Sequence, residues 1–427
     1  MHRPLALLFL AGLVSAQPTP PRKVIRAARL LDVTAGKYIE HPVILIQGNR
    51  IQNVLSNGEV PAGAEVIDLG AATLLPGLID CHTHILENYD FHIGNDDPNM
   101  LLTVAQLGNT KRALLGAKMA REALEAGITT VRDLGNSGRN GDVALRDAIN
   151  QGWVPGPRMY VSTRALSAAG GQFGSVAAEA QHLIDEEYAV ISGVEEARKA
   201  VRQAFYDGAD LVKVIVNTGP RVVSLDEMKV IVDEAHRVNK KVAAHAIGDL
   251  ATRISADAGV DSIEHAYVIP DDALKTMAAK KIFMVPTDPE VEDLANLLAE
   301  KLHGTAAQIA SDRQRSDASK KDRIDRALAG VRIAFGSDMY YDAPTWGRGV
   351  ASITTLESYA RFGMPPIEVI RTATSNAADL LGVERLGAVQ TGKFADIIAV
   401  DGDPLADISV LRKVRWVMKN GAVVKTP

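Results

Sequence analysis

From residue 74 to residue 338 the chain alternates between two hydrophobic patterns. Short runs rich in apolar and β-branched residues recur as "LLPGLIDC", "GITTVRDL", "RMYVSTRAL", "DLVKVIV", "KVAAHA", "SIEHAY", "IFMVPT" and "RIAFGSD". Between most of them lie longer stretches with apolar residues at helical spacing, such as "GAKMAREALEAG", "VEEARKAVRQAFYDG" and "SLDEMKVIVDEAHRVN". Eight strands separated by helices predict an α/β protein, a (β/α)8 TIM barrel running from about Leu74 to Leu381.

The flanks carry a different pattern. Residues 23–73 read as strands and turns, in "VIRAARLLDVTAG", "HPVILIQGNRIQNVL" and "AEVIDLG", and the tail repeats that style in "GKFADIIAV" and "VRWVMKNGAVVK". One small β-sandwich built from both chain ends is the expectation, with "QGNRI" and "KNGAVV" as hairpin turns. The predicted parts are 17–73 and 388–427 for the sandwich and 74–387 for the barrel. A polar, helical stretch from about Glu290 to Asp325 reads as a lid or a packing arm.

The first residues follow neither pattern. A short basic start, the apolar "LALLFLAGLV" and the small residues Val14-Ser15-Ala16 read as a signal peptide cut near Ala16–Gln17, so the protein is expected to be exported. The apolar run is too short to span a bilayer, and no stable membrane insertion is expected. The 427 residues carry a formal net charge of −5, which gives no reason to expect nucleic acid or an anionic membrane surface as a partner. Cys81 is the only cysteine, so an intramolecular disulfide is impossible. Cys81 reads as a buried filler, and stability must come from core burial and from metal.

Histidines cluster where strands give way to loops. Alternation puts His82 and His84 on one face at the end of the first strand. His245, His265 and Asp338 close strands five, six and eight, the rim where barrel enzymes place their chemistry. Neutral imidazoles bind borderline divalent metals well, so these residues are candidate ligands. His41, His182, His236 and His303 sit in polar or helical surroundings and read as surface residues, and His92 is a candidate substrate contact. Lys213 lies inside the apolar "DLVKVIV", where a buried ammonium is costly. It either snorkels or pairs with a carboxylate, or its neutral amine takes up carbon dioxide to give a carbamate able to bridge two metals.

The ordered set H-T-H, lysine, histidine, histidine, aspartate resembles the amidohydrolase superfamily in its binuclear form. "PGLIDCHTH", "GVDSIEHAY", "AFGSD" and "TATSNAADLLGV…GAVQTGKFADIIAVDGDPL" resemble its imidazolonepropionase-like, Xaa-Pro-dipeptidase-like branch, which includes secreted bacterial ochratoxin-degrading enzymes. The resemblance covers nearly all of the mature chain. It implies that His82, His84 and Asp338 hold one metal, that His245 and His265 hold the other, and that carboxylated Lys213 bridges them. It also implies a hydroxide nucleophile and a proton carried by Asp338 to the leaving amine. Two divalent ions are implied, zinc by default.

The branch pattern is broken in places that bear on substrate. Gln172 in "AAGGQFG" stands where relatives carry a histidine that helps hold the substrate carbonyl. After strand eight a His-Gly pair is absent, and Tyr340, Tyr341 and Trp346 become candidates for an aromatic pocket, with Arg348 for a carboxylate. Near Lys213, Asn217 and Arg221 are candidate contacts, Arg221 for a carboxylate. Arg132 and Asp133 read as support for the ligands or as a salt bridge. The resulting expectation is a hydrolase that cuts the amide bond of dipeptides or N-acyl amino acids bearing a free carboxylate, ochratoxin A among them. A deaminase or cyclic-amide hydrolase on the same scaffold is the alternative, and Lys213 argues against it. The resemblance also implies a homo-oligomer, with an octamer among the states seen in relatives.

Overall fold

The computed structural model describes residues 22–90, 96–288, 306–341 and 346–427. The leader, His92 and His303 lie outside the described residues.

Two parallel sheets carry the predicted strands. A three-stranded sheet has the order Arg158–Val161, Ile128–Asp133, Leu78–Thr83. A six-stranded sheet has the order Tyr188–Val190, Ala165–Ser167, Val212–Ile215, Val242–Ala246, Ser262–His265, Phe283–Val285. Every pairing within them is parallel. Helices such as Val194–Tyr206, Leu225–His236 and Asp249–Ala258 connect successive strands. Each helix turns a stripe of small and branched residues to the sheet, for example Met228, Ile231, Val232 and Ala235.

The eighth segment joins the two sheets at one side. Ile333 bridges Met284, and Met339 bridges Thr83, both in parallel. Cys81 N–H donates to Phe335 O at 2.8 Å, and Asp338 N–H donates to His82 O at 2.8 Å. At the other side the ladder breaks inside the predicted third strand. Thr163 adopts φ +59°, which ends the extended run, and Val161 O instead accepts from Asp210 N–H at 2.7 Å. "RMYVSTRAL" is therefore two strands, and no continuous closed ladder forms among the described residues.

"LLPGLIDC" also divides. Thr73–Pro76 pairs antiparallel with Ile397–Val400 and parallel with Arg29–Asp32, whereas Leu78–Thr83 belongs to the parallel sheet. Gly77 is the crossing point, where a β-carbon would meet Thr129 Oγ1 at 2.2 Å.

The chain ends meet in a six-stranded sheet of order Ala422–Lys425, Val414–Lys419, Ile397–Val400, Thr73–Pro76, Arg29–Asp32, Lys37–Glu40. A four-stranded sheet, Arg50–Ser56, Pro42–Gln47, Arg22–Arg26, Glu65–Asp68, packs with it over a core that includes Ile25, Ile44, Leu74, Ile397 and Trp416. Both expected hairpin turns form. Lys419 pairs with Ala422 across Asn420-Gly421, whose φ values are +51° and +74°. That is the type I′ signature, and it requires glycine for a second reason: a β-carbon at 421 would lie 2.0 Å from Gly48 O.

The described part of the 290–325 stretch belongs to the helix Ala306–Leu328, which behaves as a packing arm. Ile324 and Ala327 are buried in the main core, and Arg323 pairs with Asp288. No described helix is long and apolar enough to cross a membrane.

Candidate active site

Where the parallel strands end, a cavity of about 430 Å³ gathers all six candidate ligands. His82 is the fifth residue of its strand, His84 follows just beyond it, and Asp338 comes from the bridging eighth segment. Asp338 Oδ1 lies 3.4 Å from His82 Nε2 and 3.3 Å from His84 Nε2, and Oδ2 lies 3.7 Å from His265 Nδ1. The His245 and His265 ring centroids are 4.5 Å apart, and those of His82 and His265 are 5.1 Å apart. One nitrogen or oxygen from each of His82, His265 and Asp338 lies within 4.8 Å of the others.

The backbone is bent to achieve this. His265 and Asp338 adopt φ +68° and +51°, an unfavourable region for side chains other than glycine. Such positions cost about 1–3 kcal/mol each and persist where the surroundings fix them. Asp80 supplies part of that fixing, because its Oδ1 accepts from both His82 N–H at 3.1 Å and Ser337 N–H at 3.0 Å.

Three imidazoles are oriented through Nδ1. His82 meets Glu264 Oε2 at 2.8 Å, His84 meets Gly135 O at 2.9 Å, and His265 meets Thr287 Oγ1 at 2.8 Å. A carboxylate or carbonyl on one ring nitrogen leaves the other free to bind a cation. His82 Nε2 is buried and has no hydrogen-bond partner among the described residues. Burial drives His82, His245 and His265 below the ordinary imidazole range, His245 to about 3, with the Lys213 charge adding to the shift at His82 and His245. They are therefore neutral at pH 7, the form that ligates metal. Burial also acts to lower His84, but the adjacent Asp338 carboxylate reverses it and raises this one imidazole.

Lys213 is 2% exposed, and no hydrogen bond or ion pair reaches its ammonium among the described residues. It neither snorkels nor pairs. Burial lowers it to about 8, against the opposing pull of Glu264 and Asp338.

Arg132 supports the ligands through Glu264. Its Nη2 donates to Glu264 Oε1 at 2.7 Å, and its Nη1 donates to Ser262 Oγ at 2.9 Å. Asp133 accepts from Thr83 Oγ1 at 2.9 Å and from Ile85 N–H at 2.8 Å, which shapes the loop carrying His84.

The expected substrate contacts divide. Gln172, Asn217 and Tyr340 line the cavity, and Arg221, Tyr341, Trp346 and Arg348 do not. Arg221 donates to Ala169 O and Phe173 O, each at 2.9 Å, so it holds the glycine loop that carries Gln172. Arg348 is buried and donates to Glu87 O, His84 O and Asn88 Oδ1, which ties down the loop after the first strand. Trp346 lies beneath the Arg412 guanidinium at 4.6 Å, and Tyr341 is buried in an aromatic cluster. Asn217 exchanges two hydrogen bonds with the Ile247 backbone, at 2.8 and 3.0 Å, so both ends of its amide are used. The Gln172 carbonyl accepts from Tyr188 OH at 3.1 Å, which leaves its amide N–H groups for a substrate oxygen.

The cavity also contains residues that pattern reading missed. Glu87, Tyr89, Asn136, Thr218 and Tyr267 all line it. Burial pushes Glu87 up to about 7 against the opposing charges of His84 and Arg112. Glu264 stood beside His265 in "SIEHAY", but strict alternation assigns the two to opposite faces. His265 adopts a positive φ at the end of the strand, and both residues reach His82.

The amidohydrolase family profile matches residues 73–424. This chain belongs to the amidohydrolase family. The amidohydrolase is 31% identical to ochratoxinase from Aspergillus niger, over 97% of this chain and 89% of that protein. It is 23% identical to an imidazolonepropionase from Fusobacterium nucleatum, over 95% of this chain and 94% of that one. Among solved structures it resembles a Xaa-Pro dipeptidase with bound methionine in the active site, with a TM-score of 0.81, 28% identity, and 95% of this chain and 100% of the other covered. The crystal structure of the A. niger ochratoxinase gives a TM-score of 0.80 at 28% identity, over 96% of this chain and 97% of that one. The amidohydrolase is a hydrolase of C–N bonds, and its buried histidine and carboxylate donors suit a divalent cation.

Proposed function

We propose that this amidohydrolase holds two divalent cations and hydrolyses the amide bond of dipeptides or N-acyl amino acids whose leaving residue bears a free carboxylate. The observation that carries the proposal is the convergence of His82, His84, His245, His265, Lys213 and Asp338 on one cavity, with three imidazoles pinned through Nδ1. In this reading His82, His84 and Asp338 would hold one ion, and His245 and His265 would hold the other. Lys213, carboxylated, would supply oxygen donors to both. The bare amine in that position is desolvated and unpaired, which favours the neutral form that reacts with carbon dioxide. The histidine-rich set with oxygen donors suits zinc first. Such cations polarise a carbonyl and acidify water.

The chain's own residues do the rest. Asp338 takes the proton of the attacking water on a carboxylate oxygen and passes it to the leaving nitrogen. The Gln172 amide donates to the scissile carbonyl or the substrate carboxylate. Thr218 Oγ1, buried without a partner among the described residues, is a second neutral donor. Neutral donors replace the arginines expected from the sequence, since Arg221 and Arg348 are spent on backbone carbonyls. Lys213 argues against the alternative, a deaminase or cyclic-amide hydrolase on the same scaffold.

The same proposal makes the two parallel sheets the parts of one (β/α)8 barrel, with the sandwich formed by 17–73 and 388–427 beside it. It also includes export after cleavage near Ala16 and assembly as a homo-oligomer. A screen of dipeptides and N-acyl amino acids, ochratoxin A included, against metal-loaded enzyme tests the activity. Release of the C-terminal amino acid is the expected result. Deamination, or opening of cyclic amides with no release of an amino acid from the linear substrates, would overturn it.

A further inference from the structure

Two carboxylates line the cavity. Asp338 lies among the histidines, and Glu87 lies three residues beyond His84 on the loop after the first strand. The mechanism above uses the first and leaves the second unexplained. Glu87 is 1% exposed, and its charge is not matched by a paired cation. The guanidinium of its network, Arg112, is spent elsewhere: it grips Glu187 with both terminal nitrogens and also meets Asn136 O. Glu87 receives only neutral donors, Tyr89 OH at 2.9 Å and Asn136 Nδ2 at 3.1 Å. A carboxylate offers about four acceptor positions, so roughly two remain. Among the described residues no arginine or lysine forms an ion pair with it.

Other residues of the lining have unlike chemistry. Ile247 and Tyr267 are 41% and 38% exposed, and Asn217 locks the Ile247 backbone in place. The cavity lining therefore combines an acidic, hydrogen-bonding group at Glu87 with apolar surface from Ile247 and the Tyr267 ring.

We propose that Glu87 is a specificity-determining residue that receives the free α-ammonium of the substrate's acyl residue, so that the enzyme prefers dipeptides to acylated amino acids without an amine. This rests on the amide hydrolysis proposed above. In such a substrate the leaving residue carries the carboxylate, and its own nitrogen is the scissile amide. The one remaining amine belongs to the acyl residue. An ammonium supplies three donors and a full charge, which suits the acceptor positions that Tyr89 and Asn136 leave open. An acyl group without an amine leaves a buried carboxylate facing apolar atoms, and a site with an unmatched polar group rejects such an analogue. Ochratoxin A, an N-acyl phenylalanine whose acyl part carries no amine, falls on the disfavoured side.

The test compares alanyl-phenylalanine with propionyl-phenylalanine, which differ only by the amine, in wild-type enzyme and in Glu87→Gln. Wild type should favour the dipeptide in kcat/KM by roughly tenfold to a hundredfold, the range for a hydrogen bond to a charged group. Glu87→Gln should collapse that ratio towards one, mainly through the KM of the dipeptide. The wild-type ratio needs no variant, so a poorly folding Glu87→Gln does not spare the proposal. Equal use of the two compounds by wild type overturns it and leaves the amide hydrolysis standing, as does a ratio that survives in Glu87→Gln. Turnover of neither compound by wild type carrying its metals overturns both proposals together.

Discussion

At the scale of single residues, the site depends on pairs that hold one another in place. Glu264 is completely buried between the Arg132 guanidinium and His82 Nδ1. Glu264→Gln keeps the shape and removes the charge, which leaves Arg132 buried without its counter-ion. We expect a stability loss of about 3 kcal/mol or more, the usual cost of breaking a buried ion pair. We also expect metal affinity to fall roughly 10- to 100-fold, as when an outer partner of a ligating histidine is lost. Denaturant unfolding and metal titration measure the two effects. A Glu264→Gln variant with wild-type metal affinity would remove Glu264 from the orientation of His82. Asp338→Asn keeps an oxygen among the histidines and loses the proton acceptor. Its kcat should fall by roughly 10²- to 10⁴-fold with a much smaller change in KM. Steady-state kinetics with a dipeptide substrate decide this, and an unchanged kcat would place the proton on another group.

At the scale of elements, strand ends decide what the cavity contains. The apolar runs and their spacing located nearly every parallel strand within a few residues, because burial on both faces leaves a continuous apolar signature. Pattern could not see where a run changes sheets. Thr73–Pro76 and Leu78–Thr83 are one hydrophobic run serving two sheets, divided at Gly77, and the third strand divides at Thr163, a residue with no breaker chemistry. Gly77→Ala tests the first division. Its methyl group would collide with Thr129, and overpacking of this kind costs typically about 1–3 kcal/mol. A lowered thermal midpoint is the expected result, and an unchanged one would mean that the crossing tolerates a side chain.

Five of the six candidate ligands are legible because they sit where strands give way to loops, and the direction of a strand predicts the direction of its side chains; Lys213, inside the strand Val212–Ile215, is legible instead as a lone charge in an apolar run. The candidate substrate contacts were less so, since loop side chains have no such rule. The charges of Arg348 and Arg221 suit a carboxylate, but backbone carbonyls of the loops claim them first. Glu87 has a sequence signal of its own, an acidic residue three positions past His84.

At the scale of the whole molecule, chain ends separated by some 300 residues of barrel-like sequence share one six-stranded sheet, and its strand Thr73–Pro76 runs directly into the strand that carries His82. The β domain thus anchors the first ligand strand. The proposed export predicts an N-terminus near Gln17 on the mature protein. Mass spectrometry of secreted material checks this, and retention of Met1 there would contradict cleavage.

The central claim is that six side chains hold two cations, with Lys213 as their bridge. Metal analysis of purified wild type and of Lys213→Ala, by inductively coupled plasma mass spectrometry, tests it most directly. We predict about two divalent ions per wild-type chain, and loss of at least one ion and of most turnover in Lys213→Ala. Full metal content and full activity in Lys213→Ala, or an active wild type that carries no metal, would contradict it.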